Sequence, residues 1–509
     1  MEQKKIGFWT VVFFVFGSCV GTGIFFKNKT ILANTNSISL LLFSWILAIF
    51  AIVCLCFSLK EIVHQSKLKN ESGFLGWIKT FCKTRFYKGF RNFMLYFYMP
   101  SLMFFLPYYA IQSVMDALSL FFPSEVIIPF WGMILLSLLV FFYVTIVPMF
   151  SKKAVLVQSN IFSFLKFIPL LFGIIGGIII FATFGHGTAP NHFFEPNLPP
   201  RDEPTPFNLT NCTPFLGIIA SIPAIFFSFD GFYNSSSLET KMKNPQNFSK
   251  AMILGILVVA AIYLTFSLGM ALGAKDGTII GLENAWESDA IGVKVIKFIL
   301  LLLISFAVLG TANNWGLYIT DSIKSSVDEK TFLFSLKTSS LNNWKKCTFI
   351  ELFLFSYFIF FTLVGCFFID DVIYDNYKYY DVTSKKIFSF IDIITNWSSL
   401  FVFIGLGITI FGFLISNKNC ELKVKIFSWL GIFFIAISTL FEVSNCIISL
   451  FSSIIWQFKH SDTKITEYII PNILKTLLLA VIVWICFFNK NKEQSKNIEN
   501  INQNIQNIA

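Results

Sequence analysis

Long apolar runs recur along the whole chain, among them Ser39 to Leu59, Ile127 to Phe150 and Ile473 to Phe488. A run of about 20 apolar residues crosses the hydrocarbon layer of a bilayer as a helix. Read with the polar and glycine breakers between them, the runs predict twelve helices. These fall at 6–33, 38–60, 90–120, 127–150, 154–184, 213–235, 250–273, 291–323, 347–369, 388–416, 424–455 and 467–488. The pattern is that of an all-α integral membrane protein, one polytopic domain over 1–488 with a polar tail over 489–509. Met1 to Lys5 followed by the apolar stretch Ile6 to Phe16 opens like a signal peptide. No small-residue cleavage site follows, so this stretch is expected to be the first span.

The polar connections orient the chain. Lys and Arg concentrate in the even-numbered ones: Lys60 to Arg91, Lys152–Lys153, Lys241 to Lys250, Lys324 to Lys346 and Lys418 to Lys425. Positive connections stay on the cytoplasmic side, which puts both termini there. Glu61 to Gly89 interleaves basic residues with Phe74, Leu75, Trp77, Ile78 and Phe81, as a helix lying in the inner interface would. Gly185 to Asn211 is Pro-rich and is expected to be an irregular outer loop. In the tail, Ile498, Ile501, Ile505 and Ile508 make a helical stripe, but the polar composition favours disorder.

Composition supports this and removes other classes. The 509 residues are 55% hydrophobic and 13% charged, against about a quarter charged in soluble domains. The net charge of +10 lies in short blocks between apolar segments, so it does not indicate a nucleic-acid partner. Ten cysteines are scattered mainly through apolar segments, including Cys54, Cys56, Cys366, Cys446 and Cys486. They show neither metal-ligand spacing nor a disulfide pattern. His64, His186, His192 and His460 fall in connections and form no ligand cluster, so no metal or cofactor is expected. No Gly-x-x-x-x-Gly-Lys-Ser/Thr motif is present, which argues against a primary pump within the chain. No acid–base constellation suggests an enzyme. The 65 phenylalanines, with only Arg85, Arg91 and Arg201 for arginine, resemble translation of an AT-rich bacterial genome, and such a chain belongs in the plasma membrane.

Two of the expected helices carry internal breaks. The first contains Gly17-Ser18-Cys19-Val20-Gly21-Thr22-Gly23, where each glycine costs about 1 kcal/mol relative to alanine in a helix. The sixth contains Phe226-Phe227-Ser228-Phe229-Asp230-Gly231-Phe232-Tyr233-Asn234, an aspartate and a glycine inside an aromatic run. Unwound backbone at membrane depth persists only where protein or a watery cavity satisfies its polar groups. Either break alone suits a glycine-mediated helix contact or kink. Paired at matching positions in two halves of the chain, they point to a transport site near the bilayer midplane.

These residues resemble the signatures of the amino acid–polyamine–organocation superfamily. Gly17-x-x-x-Gly21-Thr22-Gly23-Ile24-Phe25 is similar to its first-helix motif. Phe227-Ser228-Phe229-Asp230-Gly231-Phe232, with Glu239, Lys243-Asn244-Pro245 and Lys250-Ala251, is similar to its sixth-helix motif. Glu61, then Ser72-Gly73 before Trp77, resembles the end of its second helix and the inner loop. The chain departs from the pattern at Lys27-Asn28, where a proline is usual, and at Ser249, where the usual proline stands one position later. It also lacks an arginine often found beyond Gly310-Thr311-Ala312-Asn313-Asn314-Trp315. The resemblance implies a LeuT-like 5+5 inverted repeat, about 6–184 and 213–416, with two extra helices at about 424–488 and discontinuous helices 1 and 6. It implies that Cys19, Gly21, Thr22 and Gly23 meet a substrate carboxylate. The carbonyls of Phe227, Ser228 and Asp230 would take the ammonium group, and Phe232 would be an aromatic gate.

Three ionisable residues stand in apolar helices. A lysine at membrane depth, such as Lys166, costs about 2.5–3.5 kcal/mol on insertion scales and normally has a partner or task. In proton-coupled members of the resembling family, a lysine in helix 5 occupies the place of a sodium ion, which would make Lys166 the coupling residue; the plainer reading is a lysine snorkelling to the inner interface. Asp230 either selects a cationic side chain or contributes only its backbone. Glu442, near Asn445, reads as structural. The expectation is a secondary amino acid permease working by proton symport or exchange, its partners being the amino acid, the bilayer and protons. Alternatives of the same fold are a polyamine or organic amine transporter, a sodium-coupled one and a transporter-like nutrient sensor.

Overall fold

The computed structural model describes residues 6–35, 37–69, 73–121, 129–184, 207–211, 213–274, 277–279, 291–328, 332, 343–368, 380–417, 420–459 and 465–487. The expected tail, most of the expected outer loop, the first five residues, and His186, His192 and His460 lie outside them. The described residues are helical with no strand; one isolated parallel bridge joins Ile6 to Met242, and Lys243 N–H donates to Ile6 O at 2.9 Å.

In chain order the helices are α1 (Phe8–Cys19), α2 (Thr22–Thr35), α3 (Ile38–Leu68), α4 (Gly73–Phe81), α5 (Thr84–Phe93), α6 (Met99–Ser119), α7 (Phe130–Phe150) and α8 (Lys152–Leu165). They continue with α9 (Phe167–Phe184), α10 (Pro214–Phe229), α11 (Phe248–Gly273), α12 (Ile291–Asp328), α13 (Asn343–Gly365), α14 (Val382–Ser416), α15 (Leu422–Lys459) and α16 (Ile465–Phe487). A π-turn at Met94–Tyr98 joins α5 to α6, and a 3₁₀ segment at Phe232–Lys241 follows α10. By length and apolarity, ten helices of the described residues are able to cross a membrane, and α1 with α2 form a further candidate bent by 52°. The α9 stretch Phe167–Thr183 is a shorter apolar helix.

Both breaks fall inside the expected segments, and local chemistry explains each. Val20 caps α1 in an extended conformation (ψ 104°), and α2 restarts at Thr22. Gly21 sits where a Cβ would lie 2.8 Å from Thr311 Oγ1 on α12. At the second break, α10 stops at Phe229 and Gly231 adopts φ +96°, a left-handed conformation that glycine takes without a Cβ penalty. Beyond it the chain tightens into the 3₁₀ segment rather than continuing as α-helix.

Packing places the breaks at the centre. α2 lies along α10, α1 against α11, α6 against α12 and α11 against α9. α15 packs on α3 and α14 at the outside, and α16 reaches α5. Large apolar side chains such as Trp9, Trp131, Leu139, Phe164, Trp429, Phe433 and Trp484 remain exposed, the face that lipid covers. The stretch expected in the inner interface forms α4 and α5. The apolar face of α4 (Phe74, Trp77, Ile78 and Phe81) is buried, and the helix packs on α14 and the 3₁₀ segment. α3 also runs on to Leu68, past the expected end at 60. One acidic side chain ties the starts of α14 and α7. Asp381 accepts from Ser384 N–H as the N-cap of α14 and from Phe130 N–H at the start of α7, both at 2.7 Å.

Candidate functional site

The first N–H groups of α2 and the last carbonyls of α1 have no partners within their own helices. They face one another across the break, with opposite dipole ends converging. Lys166, at the junction of α8 and α9, supplies the carbonyl side. Its Nζ donates to Gly17 O at 2.8 Å and Val20 O at 2.6 Å, and the residue is buried. The lysine therefore reaches the break of helix 1 rather than the lipid interface.

Tyr263 on α11 joins the two breaks directly. Its hydroxyl lies 2.8 Å from Cys19 O and 3.0 Å from Ser228 O, sharing one proton between the carbonyl ends of the two interrupted helices. Cys19 Sγ adds a contact of 3.6 Å to Phe229 O. Gly23 makes the approach possible, since a Cβ there would lie 2.8 Å from Ser228 Oγ and 2.9 Å from Ser228 Cβ.

Between the breaks is a cavity of about 20 Å³ lined in part by Cys19, Gly21, Thr22, Gly23, Phe227 and Asp230. That is room for about one water molecule, so a larger occupant has to part the helices. The remaining lining is Ser18, then Leu102, Phe105 and Leu106 from α6, and Thr311 and Trp315 from α12. Leu102, Phe105 and Leu106 share a helix face at i, i+3 and i+4, and Thr311 and Trp315 share one at i, i+4. The Gly310 to Trp315 motif marked the α12 pair in the sequence; nothing marked the α6 face.

Three expected residues stand apart from the lining. Ser228 turns its Oγ to Ala224 O at 3.1 Å, and its carbonyl accepts from Tyr263. Phe232 is fully buried between Tyr233 and Phe403, with ring centroids at 5.7 and 6.2 Å. Lys166 lies behind the break. Phe227 O accepts from Asp230 N–H at 3.2 Å and retains a second lone pair.

The Asp230 carboxylate is held by three hydroxyls and by the backbone N–H of Gly231. Tyr98 at the end of the π-turn donates to Oδ2 at 2.7 Å, Ser399 on α14 to Oδ2 at 2.9 Å, and Tyr233 to Oδ1 at 2.9 Å. Tyr98 and Tyr233 are themselves 3.0 Å apart. Among the described residues no lysine or arginine pairs with Asp230.

A second polar centre was not foreseen. Lys27 is fully buried in α2 and pairs with Asp392 on α14, while its Nζ also lies 2.6 Å from Thr395 Oγ1 and 3.0 Å from Asp392 O. Thr30 donates to the same carboxylate oxygen at 3.2 Å, and the ammonium sits 5.3 Å from the centroid of the Phe227 ring. Asn28 donates to Gly277 O at 3.0 Å. The Lys27-Asn28 departure from the family pattern thus has a purpose in packing: both side chains fasten α2. Glu442 on α15 bonds the side chain of Trp397, and Asn445 accepts from Leu209 N–H at 3.1 Å. Among the described residues no three His, Cys, Asp or Glu side chains group as metal ligands.

An all-helical chain with this many apolar spans, whose two interrupted helices enclose a small cavity, has the architecture of a membrane transporter. The chain belongs to the amino acid permease family, whose sequence profile matches residues 6–457. It is 28% identical over 496 residues to an uncharacterised protein of Mycoplasma pneumoniae, covering 90% of this chain and 85% of that one. It is also 25% identical over 300 residues to the serine/threonine exchanger SteT of Bacillus subtilis, covering 57% of this chain and 59% of the exchanger. The crystal structure of a manganese transporter from Eremococcus coleocola aligns over 94% of this chain and 93% of its own, at 14% identity and a TM-score of 0.48.

Proposed function

We propose that the protein is a secondary permease for small neutral amino acids in the plasma membrane, both termini cytoplasmic, working by proton symport or exchange. The observation that carries this is that residues of both breaks, Gly21, Thr22 and Gly23 from one and Phe227 and Asp230 from the other, line one cavity. The N–H groups of Gly21, Thr22 and Gly23 take the substrate carboxylate, and the carbonyls of Phe227 and Asp230, which border the cavity, take its ammonium; Ser228, behind the lining, holds the break through Tyr263. Leu102, Phe105, Leu106, Phe227 and Trp315 leave an apolar wall suited to a short side chain. Because Tyr98, Tyr233 and Ser399 already occupy its carboxylate, Asp230 is not set to bind a cationic side chain, which disfavours a polyamine or basic amino acid. The similarity to a serine/threonine exchanger supports the same substrate class.

Lys166 acts in coupling by holding the inner half of helix 1 through Gly17 O and Val20 O. An ammonium at that place leaves no room for a sodium ion, so sodium dependence is not expected. The test is counterflow of labelled serine, threonine, alanine and lysine into proteoliposomes of wild type, Gly23→Trp and Lys166→Ala, with and without sodium. Uptake of the small neutral amino acids, lost in Gly23→Trp and indifferent to sodium, supports the proposal. Absence of any amino acid uptake by folded protein overturns it, and sodium-driven uptake that survives Lys166→Ala removes the role given to the lysine.

A further inference from the structure

Asp230, Tyr98 and Tyr233 close a ring of oxygens. Asp230 Oδ2 meets Tyr98 Oη at 2.7 Å, Tyr98 Oη meets Tyr233 Oη at 3.0 Å, and Tyr233 Oη returns to Asp230 Oδ1 at 2.9 Å. Ser399 Oγ makes a further contact with Oδ2 at 2.9 Å. All four residues are buried, and among the described residues no cation pairs with the carboxylate.

Counting protons shows what the ring lacks. Three hydroxyls supply three protons to four oxygen–oxygen contacts. With Asp230 ionised, Tyr98, Tyr233 and Ser399 each donate to the carboxylate, and the Tyr98–Tyr233 contact holds two oxygens at hydrogen-bonding distance with no proton between them. One added proton completes the set. It sits on Oδ1 and is donated to Tyr233 Oη; Tyr233 turns its own proton to Tyr98 Oη, and Tyr98 still donates to Oδ2. Every contact then carries one proton, no heavy-atom bond changes, and the buried charge goes from negative to neutral. Hydrogen bonds linked in a closed chain polarise and strengthen one another.

We propose that this ring is the binding site of the proton that moves with the substrate. It deepens the symport reading given above and rests on it only for the direction of transport. The placement suits the task. Asp230 borders the cavity, where substrate and water arrive, and Trp315 of the cavity wall stands edge-on to Tyr98 at 5.8 Å. On the other side Phe74 of α4 lies 4.8 Å from Tyr233, so the ring also touches the connection between the second and third spans. The π-turn that ends on Tyr98 is the kind of helix irregularity that gathers at functional positions. Among the described residues, the Cys19 thiol on α1 and Tyr318 on α12 also face this region, with Tyr263 on α11 beside Cys19. Cys19 and Tyr263 are engaged with main-chain carbonyls, and Lys166 is turned to Gly17 O and Val20 O.

Two measurements test the site. The first needs no transport: infrared difference spectra of the purified full chain between mildly acidic and neutral pH. A protonated-carboxyl band in wild type, missing from Asp230→Asn and displaced in Tyr98→Phe, supports the ring. A wild-type spectrum unchanged by Asp230→Asn overturns it. The second compares serine counterflow at equal pH with serine accumulation under an imposed pH gradient, using a trapped pH-sensitive dye. Tyr233→Phe opens the ring, and gradient-driven accumulation and dye acidification are expected to fall at least tenfold relative to whatever counterflow the variant retains. Accumulation and acidification at the wild-type level in Tyr233→Phe overturn the proposal. If the infrared band behaves as expected but wild type carries no amino acid, the proton site stands and the transport reading fails.

Discussion

Gly17, Gly21 and Gly23 look alike in sequence, yet the structure gives them different tasks, and alanine at each separates them. A Cβ at Gly17 meets nothing within 4 Å, whereas at Gly21 it meets the rotatable side chain of Thr311, with Oγ1 at 2.8 Å. At Gly23 it presses on Ser228 itself, with Oγ at 2.8 Å and Cβ at 2.9 Å and the Cα nearer still. Gly17 and Gly23 both lie in helices, so alanine gains each about 0.5–1 kcal/mol of helix propensity, and that gain cancels in the comparison. What remains is overpacking, about 1–3 kcal/mol where a backbone has to shift. Expressed as binding, 1–3 kcal/mol is roughly 5- to 150-fold in an equilibrium constant. Gly23→Ala is therefore expected to weaken serine binding by that factor relative to Gly17→Ala, with Gly21→Ala between them. The assay is scintillation-proximity binding on purified protein, with counterflow rates beside it. Equal affinity in Gly17→Ala and Gly23→Ala would refute the idea that contact between α2 and α10 at Ser228 sets the geometry of the site.

Other substitutions probe the remaining ties. Lys27→Met strands the Asp392 carboxylate and is expected to cost about 3–5 kcal/mol, with the double change Lys27→Met and Asp392→Leu recovering most of it. Thermal loss of the monodisperse peak on size-exclusion chromatography reads this out, and a double variant no better than the single one contradicts it. Tyr263→Phe removes the one proton shared by Cys19 O and Ser228 O and should weaken substrate binding by about 1–3 kcal/mol. Unchanged affinity would mean that the hydroxyl does not bridge the breaks. Cys19 is buried like Cys54 and Cys56 but borders the cavity, whereas Cys82, Cys347, Cys366, Cys420 and Cys486 are partly exposed, so of the block of uptake by a small methanethiosulfonate only the part that serine protects against is expected to be lost in Cys19→Ala. Equal block of Cys19→Ala would place the reactive thiol elsewhere.

Hydropathy made most of the architecture legible, because a bilayer permits only a helix for each long apolar run among these segments. The break at Gly21 and the turn at Gly231 were legible as a pair, since either alone also suits a glycine-mediated contact or kink, while matched interruptions in two halves of the chain point to a site. Pairings between distant side chains were not. Lys27 and Asp392 stand 365 residues apart, and nothing in either neighbourhood names the other. Lys27 read only as a departure from a motif. Glu61 to Gly89 carried a pattern read as a helix in the inner interface, yet the apolar face of α4 within it packs on protein, because an amphipathic stripe serves either surface. Phe232 shows the limit of transferring a role by position. In this chain its ring packs on Phe403 and Tyr233, and Trp315, Phe105 and Phe227 supply the aromatic surface at the cavity. Tyr98 carried no sequence mark, because a π-turn has no residue signature that separates it from ordinary helix.

The contact between Ile6 and the residues after the 3₁₀ segment bears on how such a chain tolerates change. Lys243 N–H meets Ile6 O through main chain only. The entry to helix 1 and the exit from helix 6 are thus fastened by groups that almost every amino acid carries. Mutation can replace either side chain freely and leave the fastening in place; at position 243 only proline deletes the donor. Where the ring around Asp230 and the Lys27 pair hang on particular side chains and can be lost in a single step, this joint is inherited with the backbone itself.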